Sequence, residues 1–496
     1  PEPQPCVLAC PIHNDIPLAL WHTAGGDFVE GYRAYRLTST LSEVCGRVCP
    51  QELLCQGACV VGAHGQLPVF IGKVEAFLAD YVRNLGGLNL KQSPATGRTV
   101  AIVGAGPAGL SCARHLMKNS VSFVVLEADQ RIGGRLKTDT LDGFLLNHGF
   151  QVLQTAYPEA RRQLDYHRLE LKPFAPGAIV RVAGKFHRVS DPKRRPRDIW
   201  GSLTAPIGTF ADRLRLIRMA SSARRGSVSS LFQSPDMTTL EFLQSQGISQ
   251  KMIQRFFKPF FGGVSLDPGI QASSRVFKYV LRVFAEGDVA LPGKGMESIV
   301  SQLAEDLPEG AIRTGARVES INQNGAVLTS GQEYKSRVVV LATDGPQTQH
   351  LLGKPASIVS HGELCLYFTA KEAPINDPYL ILNGEEKSLI NSLTVPSIVS
   401  TSYAPAGPEL ISVVLLGHLT LDDKAAESAV RKELTGWFGP VVEEWRHLKT
   451  YRIEHALPAQ PPPMPDPTVP AKPVKPDIYV CGEYQSVPGI QWALLS

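Results

Sequence analysis

The sequence predicts an α/β fold in which a helical, cysteine-rich domain precedes a Rossmann-type domain with an inserted α+β lobe. The main observation is a βαβ pattern. An apolar run, residues 99–103, leads into Gly-Ala-Gly-Pro-Ala-Gly at residues 104–109, and a helix-compatible segment follows. A second apolar run, residues 123–126, ends in Glu127. This order, with an acid at this distance after the glycines, predicts a dinucleotide site in which Glu127 accepts hydrogen bonds from the ribose hydroxyls.

Each small residue of the glycine turn has a role in such a site. Gly104 permits the tight turn, Gly106 permits close approach of the backbone to a pyrophosphate, and Gly109 lets helix and strand pack together. The helix predicted from Leu110 to Lys118, with Pro107 and Ala108 before it, directs the positive end of its dipole at the phosphate charge.

Length and composition bound the function. The chain has 496 residues, enough for two to four domains, and its 43% hydrophobic and 19% charged content predicts a globular protein with a large core. The net charge of +4 does not favour nucleic-acid binding. No run of 18 apolar residues occurs, and no secretory signal is visible, so we expect a cytoplasmic protein. Since the sequence begins with Pro1 rather than Met, an upstream leader is an open alternative.

The cysteines are crowded near the N-terminus. Of nine in the chain, six precede the glycine turn: Cys6, Cys10, Cys45, Cys49, Cys55 and Cys59. Such crowding in a large chain favours metal or cluster ligation over a disulfide scaffold. The pattern Cys-x3-Cys-Pro ends the bacterial ferredoxin-type motif, and thiolates are suitable ligands for iron–sulfur clusters. A disulfide or zinc module is the alternative.

These motifs carry a resemblance to a known family. The segments Cys10-Pro11, Asp15-Ile16-Pro17 and Cys45-Gly46-Arg47-Val48-Cys49-Pro50 resemble the N-terminal helical domain of the glutamate synthase small subunit and of dihydropyrimidine dehydrogenase, from the start of the sequence to around Leu85. In that family the domain holds two [4Fe–4S] clusters. The resemblance implies that Cys6 and Cys59 serve one cluster and that Cys10, Cys49 and Cys55 serve the other. It gives no ligand role to Cys45, which is expected to be a buried thiol.

The same resemblance implies one ligand that is not a cysteine, and it falls on Glu75. The segment around it has a helical apolar stripe, made of Ile71, Val74, Leu78 and Tyr81. A carboxylate on this stripe needs a metal or a partner, and a salt bridge to Lys73 or Arg83 is the alternative. Two clusters with four ligands each need eight, whereas these residues supply six. We therefore expect that residues upstream of Pro1 belong to the domain and that this sequence completes one cluster at most.

A second glycine motif follows the βαβ unit. After Glu127 and Ala128 comes an arginine-flanked turn that contains Gly133, Gly134 and Arg135. The two glycines allow close backbone contact with a second phosphate region, and the guanidinium can pair with phosphate. An ordinary Gly-Gly turn is the alternative.

Both glycine motifs, followed by Gly143-Phe144 and Gly149-Phe150-Gln151, resemble the flavin-containing amine oxidase superfamily over residues 98–496, with phytoene desaturases and protoporphyrinogen oxidases as the nearest branches. The resemblance implies FAD as the dinucleotide. It implies that Val318 meets the adenine through its backbone. It also implies that Gly482 and Glu483 lie on the ribityl or diphosphate side, where the superfamily usually has Asp, and that the helix containing Gln491 lies near the flavin. Since the sequence stops soon after that helix opens, we expect further residues at the C-terminus.

The predicted domains are named here by residue range. A helical iron–sulfur domain spans 1–95, with a linker near its end. The FAD-binding domain consists of residues 97–165, 289–345 and a proline-rich return with the last FAD motif at 456–496. The substrate lobe consists of residues 166–288 and 346–455.

Four features have two interpretations each. The phenylalanine-rich stretch 256–261 is either core or the lining of an apolar channel. The basic stretch 180–225 is either a solvated face or an amphipathic surface that rests on anionic lipid as a peripheral membrane contact. His148 and Lys294 are either structural surface groups, the favoured interpretation, or flavin-side groups.

Three functions follow as hypotheses. The preferred one is an FAD-dependent oxidoreductase that dehydrogenates an apolar small-molecule substrate and exchanges electrons with [4Fe–4S] clusters, since a flavin can split a hydride into single electrons. An electron-transfer protein is a further expected partner. The second hypothesis is an NAD(P)H-linked electron-input subunit, but no second Gly-x-Gly-x-x-Gly occurs after residue 109. The third is a non-enzymatic electron relay. The sequence predicts no catalytic acid or base.

Overall fold

The structure is a computed structural model that describes residues 3–39, 41–86, 99–191, 194–196, 199–322, 325–355, 357–386, 388–469 and 473–496. Most of the predicted linker near residue 90, and two residues of the basic run at 193–197, lie outside these described residues. The chain divides into two units, Pro1–Pro94 and Ala95–Ser496.

The first unit is helical. Its helices are α1 (Pro5–Leu8), α2 (Ile16–Ala24), α3 (Phe28–Arg36), α4 (Ser42–Val48), α5 (Val60–Ala63) and α6 (Ile71–Asn84). They pack around a small core in which Ile16, Tyr35 and Leu78 are fully buried. The predicted stripe is shifted slightly on α6, because Val82 is buried whereas Tyr81 lies at the edge of the buried face.

The first half of the second unit contains, in chain order, β1 (Thr99–Val103), α7 (Pro107–Lys118), β2 (Ser122–Leu126), β3 (Thr138–Leu141), β4 (Phe144–Asn147), β5 (Leu153–Gln154), α8 (Pro158–Gln163), β6 (Lys172–Pro173), β7 (Gly177–Val182), β8 (Lys185–Ser190), α9 (Ile199–Thr204), α10 (Phe210–Ala223), α11 (Val228–Phe232), α12 (Thr239–Ser245) and α13 (Gln250–Met252). A π-helical turn (Ile253–Phe257), α14 (Lys258–Ser265) and α15 (Ser274–Glu286) follow.

The second half contains β9 (Val289–Leu291), α16 (Glu297–Ala304), β10 (Ile312–Arg313), β11 (Val318–Asn322), β12 (Gly325–Leu328), β13 (Glu333–Lys335), β14 (Val338–Leu341), α17 (Gly345–Leu351), β15 (Ser360–Ala370), β16 (Leu380–Asn383), β17 (Ser392–Thr394), α18 (Pro396–Val399), β18 (Glu409–Leu416), α19 (Asp423–Phe438), β19 (Arg446–Pro458), β20 (Ile478–Val480) and α20 (Ile490–Leu495).

A five-stranded parallel sheet has the order β10-β2-β1-β14-β20. Its central strand β1 is buried from Val100 to Val103, as expected for a strand covered on both faces. Parallel pairing brings the carboxyl ends of β1, β2, β14 and β20 to one edge, where ligands bind in open α/β sheets. The helix α7 begins at Pro107, three residues earlier than the apolar pattern indicated, with Gly106 at its N-cap.

A seven-stranded mixed sheet forms the other lobe, in the order β19-β15-β18-β17-β16-β7-β8. The alternating apolar runs at residues 364–368 and 411–416 predict antiparallel strands, and these strands are present as the antiparallel pair β15 and β18. Side chains alternate across β15. Leu364, Leu366 and Phe368 enter one core cluster, whereas Cys365 and Tyr367 enter another, on the face shared by Glu363.

The phenylalanine-rich stretch is core. Phe257 and Phe261 are fully buried against Phe277, with ring centroids 5.8 and 5.0 Å from it. Phe256 and Phe260 stack on each other at 5.4 Å and pack on the same cluster. The channel interpretation is therefore wrong for these four rings. None of them lines the cavity described below, whereas Gly263 and Val264, which follow them in the sequence, do.

The helix α10 is amphipathic within the basic stretch. A capping box between Thr209 and Asp212 opens it, and Met219 and Ala223 are buried on its inner face. The opposite face is exposed and includes Leu214. Among the described residues, no helix is both long and apolar enough to cross a bilayer.

Candidate functional site

A cavity of about 580 Å³ opens at the carboxyl edge of the parallel sheet, a volume in the usual range for small-molecule sites. Part of its wall comes from the Rossmann elements, including Gly106, Pro107, Ala108 and Glu127. Another part comes from the mixed sheet and from the segment after α14, including Val264, Leu266, Glu363 and Ile453. The cavity therefore joins a polar, glycine-rich wall to a largely apolar one.

The three glycines of the first turn differ in their surroundings. Gly104 has φ +105°, and a Cβ there would lie 2.8 Å from the carbonyl oxygen of Ala342. A Cβ at Gly109 would overlap the carbonyl oxygen of Gly104, so helix and strand pack too closely for any side chain. The nearest atoms to a Cβ at Gly106 are 3.9 Å away. Gly106 is therefore free of protein contacts that require glycine, and the space before it is available to a ligand.

Glu127 is held at the cavity wall by backbone donors. Its Oε2 accepts a hydrogen bond from the Ala105 N–H at 2.7 Å, and its Oε1 accepts one from the Asp129 N–H at 3.0 Å. The side chain is buried, and Ala128 lines the cavity beside it. The carboxylate is thereby oriented at the end of β2.

The second glycine motif ends in a charged pair. The Gly133 N–H donates to the Ala105 carbonyl at 2.9 Å, which ties this turn to the first one. Gly134 and Arg135 line the cavity, whereas Gly133 does not appear in its wall. The Arg135 guanidinium forms an ion pair with Glu483 and donates to the Ala456 carbonyl at 2.7 Å.

Of the predicted C-terminal site residues, two line the cavity and one does not. Glu483 and Gly482 line it, and Glu483 Oε2 accepts from the Gly489 N–H at 2.8 Å. The Gln491 side chain is turned away from the cavity, because its Oε1 accepts from the Glu159 N–H at 2.9 Å. The wall at this point is formed by Ile490 and Ala493 instead.

Val318, the predicted adenine contact, does not line the cavity. Its side chain is buried in a core cluster, and the preceding residue, Arg317, lines the cavity instead. A backbone contact from Val318 to adenine stays a prediction.

His148 and Lys294, which each had two interpretations, differ in their surroundings. His148 lines the cavity with its Nε2 3.1 Å from Asp139, and its ring packs on Tyr451. Burial lowers the pKa of His148, although Asp139 opposes this shift. Lys294 is three-quarters exposed, 4.0 Å from Glu170, so the favoured interpretation as a surface lysine is correct.

The sequence did not predict the apolar wall of the cavity or the carboxyl group of Glu363 on it. Val264, Leu266 and Ile453 come from segments far apart in the chain, and no motif marks them. Glu363 lies in the middle of an apolar strand and is 6% exposed. Burial raises the pKa of its carboxyl to about 8. A lone acid within a strongly apolar strand was the available signal.

The N-terminal thiols influence one another's pKa values. Burial raises the pKa of Cys6, and the charge of Cys59 contributes. Burial likewise raises the pKa of Cys55 to about 11, with contributions from Cys10 and Cys49. Burial also raises the pKa of Cys49, with contributions from Cys45 and Cys10. The assignment of these residues as ligands stays a prediction.

All nine cysteines are free, so the disulfide alternative is wrong. Cys45 is half-buried rather than buried as expected. Among the described residues, no three His, Cys, Asp or Glu side chains converge on a point where one metal ion could bind.

Glu75 is buried on α6 at 4% exposure and accepts a hydrogen bond from the Ser42 hydroxyl at 2.8 Å. Burial raises the pKa of its carboxyl to about 7, and Ser42 opposes this shift. The salt-bridge alternative is wrong, because Arg83 pairs with Glu43 and Asp80 and the Lys73 ammonium lies over the Phe70 ring.

The fold and both sites define the class: an FAD-dependent oxidoreductase with an iron–sulfur domain. The family described as "Flavin containing amine oxidoreductase" matches residues 107–494. The chain therefore belongs to the flavin-containing amine oxidoreductase family. Residues 2–86 match the family described as dihydropyrimidine dehydrogenase domain II, 4Fe-4S cluster. FAD and [4Fe–4S] clusters are thus its cofactors.

Curated relatives match part of the chain. The glutamate synthase [NADPH] small chain of Escherichia coli (strain K12) is 42% identical over 132 residues, 26% of this chain and 28% of that protein. The same-named protein of Mycobacterium tuberculosis (strain ATCC 25618 / H37Rv) is 32% identical over 178 residues, 36% of this chain and 34% of that protein. The chain thus spans about a third or less of the length of these relatives.

Solved structures of similar fold cover about four-fifths of the chain. A putrescine oxidase, wild type bound to putrescine, has a TM-score of 0.59 at 17% identity, covering 81% of this chain and 97% of that one. An oxidoreductase from Methanosarcina mazei has a TM-score of 0.58 at 17% identity, covering 80% and 99%. At these identities the likeness concerns the fold.

The glycine geometry predicts that two similar substitutions have different effects. Gly106→Ala has room within the protein but places a methyl group at the ligand surface, so we expect unchanged stability and a Kd for FAD raised at least tenfold, or about 1.4 kcal/mol. Gly104→Ala strains the backbone and meets Ala342, so we expect about 1–3 kcal/mol lower stability. Urea unfolding and fluorescence titration with FAD measure both effects. Equal FAD affinity of Gly106→Ala and the unchanged protein would contradict this interpretation.

Proposed function

We propose that this protein dehydrogenates an apolar organic substrate at FAD and exchanges the electrons with [4Fe–4S] clusters. The observation that supports this most is the composite wall of the cavity. Gly106 and Glu127 on one side suit a dinucleotide, whereas Val264, Leu266 and Ile453 on the other suit an apolar molecule. A cavity that holds both at once brings a substrate against the reactive part of the cofactor.

The residues that would hold FAD follow from their positions. Glu127 would accept from ribose hydroxyls, with Ala128 beside it, while Gly106 and the start of α7 would face the diphosphate. Gly134 and Arg135 would approach the same diphosphate from the second turn. Bound FAD supplies an acceptor for two electrons that can be passed on singly.

The C-terminal contacts complete the proposed FAD site. Glu483, positioned by the Gly489 N–H, would hold Arg135 in place at the diphosphate or ribityl side. Gln491 would act by fixing α20 against α8, since its side chain is engaged with the backbone of Glu159. Apolar residues on both sides would exclude water from the substrate.

For the clusters, we propose Cys6 and Cys59 as ligands of one, and Cys10, Cys49 and Cys55 as ligands of the other. Glu75 would join the second group. Its burial beside Ser42, without a cationic partner among the described residues, supports this role, because a buried carboxylate needs a partner or a metal. Clusters accept one electron at a time, so they would take electrons singly from a two-electron donor.

Anaerobic reduction tests the proposed function. The full chain is loaded with FAD, iron and sulfide and then mixed with NADPH or with a panel of isoprenoid and porphyrin-type compounds. We expect bleaching of the flavin band by a compound of the panel, followed by cluster reduction, and only slow bleaching by NADPH because the chain has a single Gly-x-Gly-x-x-Gly. Fast reduction by NADPH would favour the electron-input function instead. Absence of any flavin band would exclude both.

A pair of cysteine variants tests the ligand assignment. We expect Cys49→Ser to lower iron and acid-labile sulfide content by about one cluster per chain relative to the unchanged protein. Cys45→Ser is the matched control, one helical turn earlier in the same segment, and should retain full content. Metal analysis and the cluster absorption band give the readout. Equal loss in both variants would contradict the assignment.

We also propose that α10 contacts a membrane surface peripherally. Phe210, Leu214 and Ile217 are 63%, 53% and 54% exposed along one face of the helix, at the spacing of one helical stripe. Arg218 and Arg224 are exposed beside them. Apolar side chains flanked by arginines suit the headgroup region of anionic lipid, which would also give an apolar substrate a route to the cavity.

Vesicle flotation measures this contact. The full chain should float with vesicles that contain phosphatidylserine and remain unbound with neutral phosphatidylcholine vesicles. Leu214→Glu should lower the bound fraction several-fold, whereas Val441→Glu, which alters another exposed apolar residue, should leave it unchanged. Binding that is insensitive to Leu214→Glu would exclude α10 as the contact.

A further inference from the structure

Glu363 is a carboxyl group placed on the apolar side of the cavity. It lies on β15 and alternates with Leu364 and Leu366, so its side chain is on the opposite face of the sheet from the main sheet core. It lines the cavity and is 6% exposed. A buried carboxyl costs free energy unless it is paired or protonated. Its presence at this position therefore requires a physical reason.

The cavity loop is shaped around this carboxyl. Gly149 has φ +91°, and a Cβ there would overlap Glu363 Oε1 and lie 2.8 Å from Ile453 Cδ1. The backbone N–H of the next residue, Phe150, opposes the effect of burial on the pKa of the carboxyl. The loop thus gives Glu363 a closely fitting surface. This fit accounts for the Gly149-Phe150 part of the motif noted in the sequence.

Three basic side chains share the cavity wall with Glu363: Arg135, His148 and Arg317. Two of them have other partners. Arg135 pairs with Glu483, and His148 is held by Asp139. On the adjoining strands, the ionisable residues nearest in sequence to Glu363 or its paired residues are His361, Cys365, His418, Arg452 and Glu454. Burial raises the pKa of Cys365 to about 12, so that thiol is neutral.

Because burial dominates, the pKa of Glu363 is raised to about 8. The group is therefore mostly protonated at pH 7 and ionised above pH 8. A carboxyl with this property can hold or release a proton near neutral pH, whereas an ordinary glutamate stays ionised.

We propose that Glu363 is the catalytic base that accepts the proton released when the substrate is oxidised, an inference that rests on the proposed function. Oxidation of a C–H bond beside an X–H or second C–H bond forms one double bond. Bound FAD would supply the acceptor for the C–H hydrogen and both electrons of its bond. The second hydrogen leaves as a proton and bonds to a carboxylate oxygen of Glu363, which becomes a neutral acid and later loses the proton to water.

The surroundings of Glu363 favour an apolar substrate, because Val264, Leu266 and Ile453 on the same wall suit apolar surface. Since the base is the carboxylate, turnover should rise with pH as this form becomes populated.

The test compares the flavin-loaded full chain with its Glu363→Gln variant, which has the shape and charge of the protonated acid. In infrared difference spectra taken through pH 6–10, a carbonyl band that disappears near pH 8 should be present in the unchanged protein and lost in Glu363→Gln, whereas the band of Glu75, whose pKa is about 7, should remain in both. Glu159→Gln, a buried glutamate that pairs with Arg162, is the matched control and should keep the band.

A second readout does not need a substrate. The flavin is photoreduced in weak buffer with a pH indicator, and the protons taken up per flavin are counted. At pH 9, the unchanged protein should take up about one more proton than Glu363→Gln, because negative charge on the reduced cofactor protonates the nearby carboxylate; at pH 6 the two should agree. Glu363→Asp should restore the uptake. Should Glu363→Gln fail to fold, Glu363→Asp gives the comparison, with uptake shifted in pH.

Equal proton uptake in both proteins at pH 9, or a carbonyl band that does not titrate between pH 6 and 10, would overturn the inference. A chain that binds no flavin would instead contradict the proposed function, and the infrared titration would still report on Glu363 alone.

Discussion

The close approach of α7 to the end of β1 is the constraint on which the second unit depends. A side chain at Gly109 would overlap the Gly104 carbonyl, and one at Gly104 would meet Ala342 on the neighbouring strand. These contacts bring the start of α7 against the edge of the parallel sheet. The second turn then docks on the first through the Gly133 N–H and the Ala105 carbonyl. The polar half of the cavity is thus assembled from backbone before any side chain contributes.

The charged side chains on the cavity wall differ in the hydrogen bonds and ion pairs that stabilise them. Glu127 receives two backbone N–H donors, and Arg135 and Glu483 neutralise each other. Hydrogen bonds and opposite charge offset the cost of burying such groups. Glu363 has no ion-pair partner among the described residues, and burial raises the pKa of its carboxyl. The glycine-rich and apolar walls of the cavity therefore differ in how their carboxyl groups are compensated.

The first unit follows a comparable logic with softer ligands. Three of its thiols, Cys6, Cys49 and Cys55, have pKa values that burial raises. Cys59 differs, because backbone N–H groups of Val69, Gly62 and Val61 outweigh its burial and lower its pKa. The carboxyl of Glu75, on α6, is also buried. A bound cluster would replace these protons with iron.

The βαβ unit and the thiol pattern could be predicted from the sequence, because glycine spacing, apolar periodicity and cysteine spacing are local properties. The antiparallel pair of β15 and β18 was predictable for the same reason, although its partners in the sheet were not. Tertiary structure decided the rest. It buried the phenylalanines as core, turned Gln491 towards α8, paired Arg135 with Glu483 rather than leaving it free, and gave Arg83 partners other than Glu75. It also brought Gly149 against Glu363, from distant parts of the chain. Contacts of this kind depend on which distant segments pack together, and a local pattern carries no record of that.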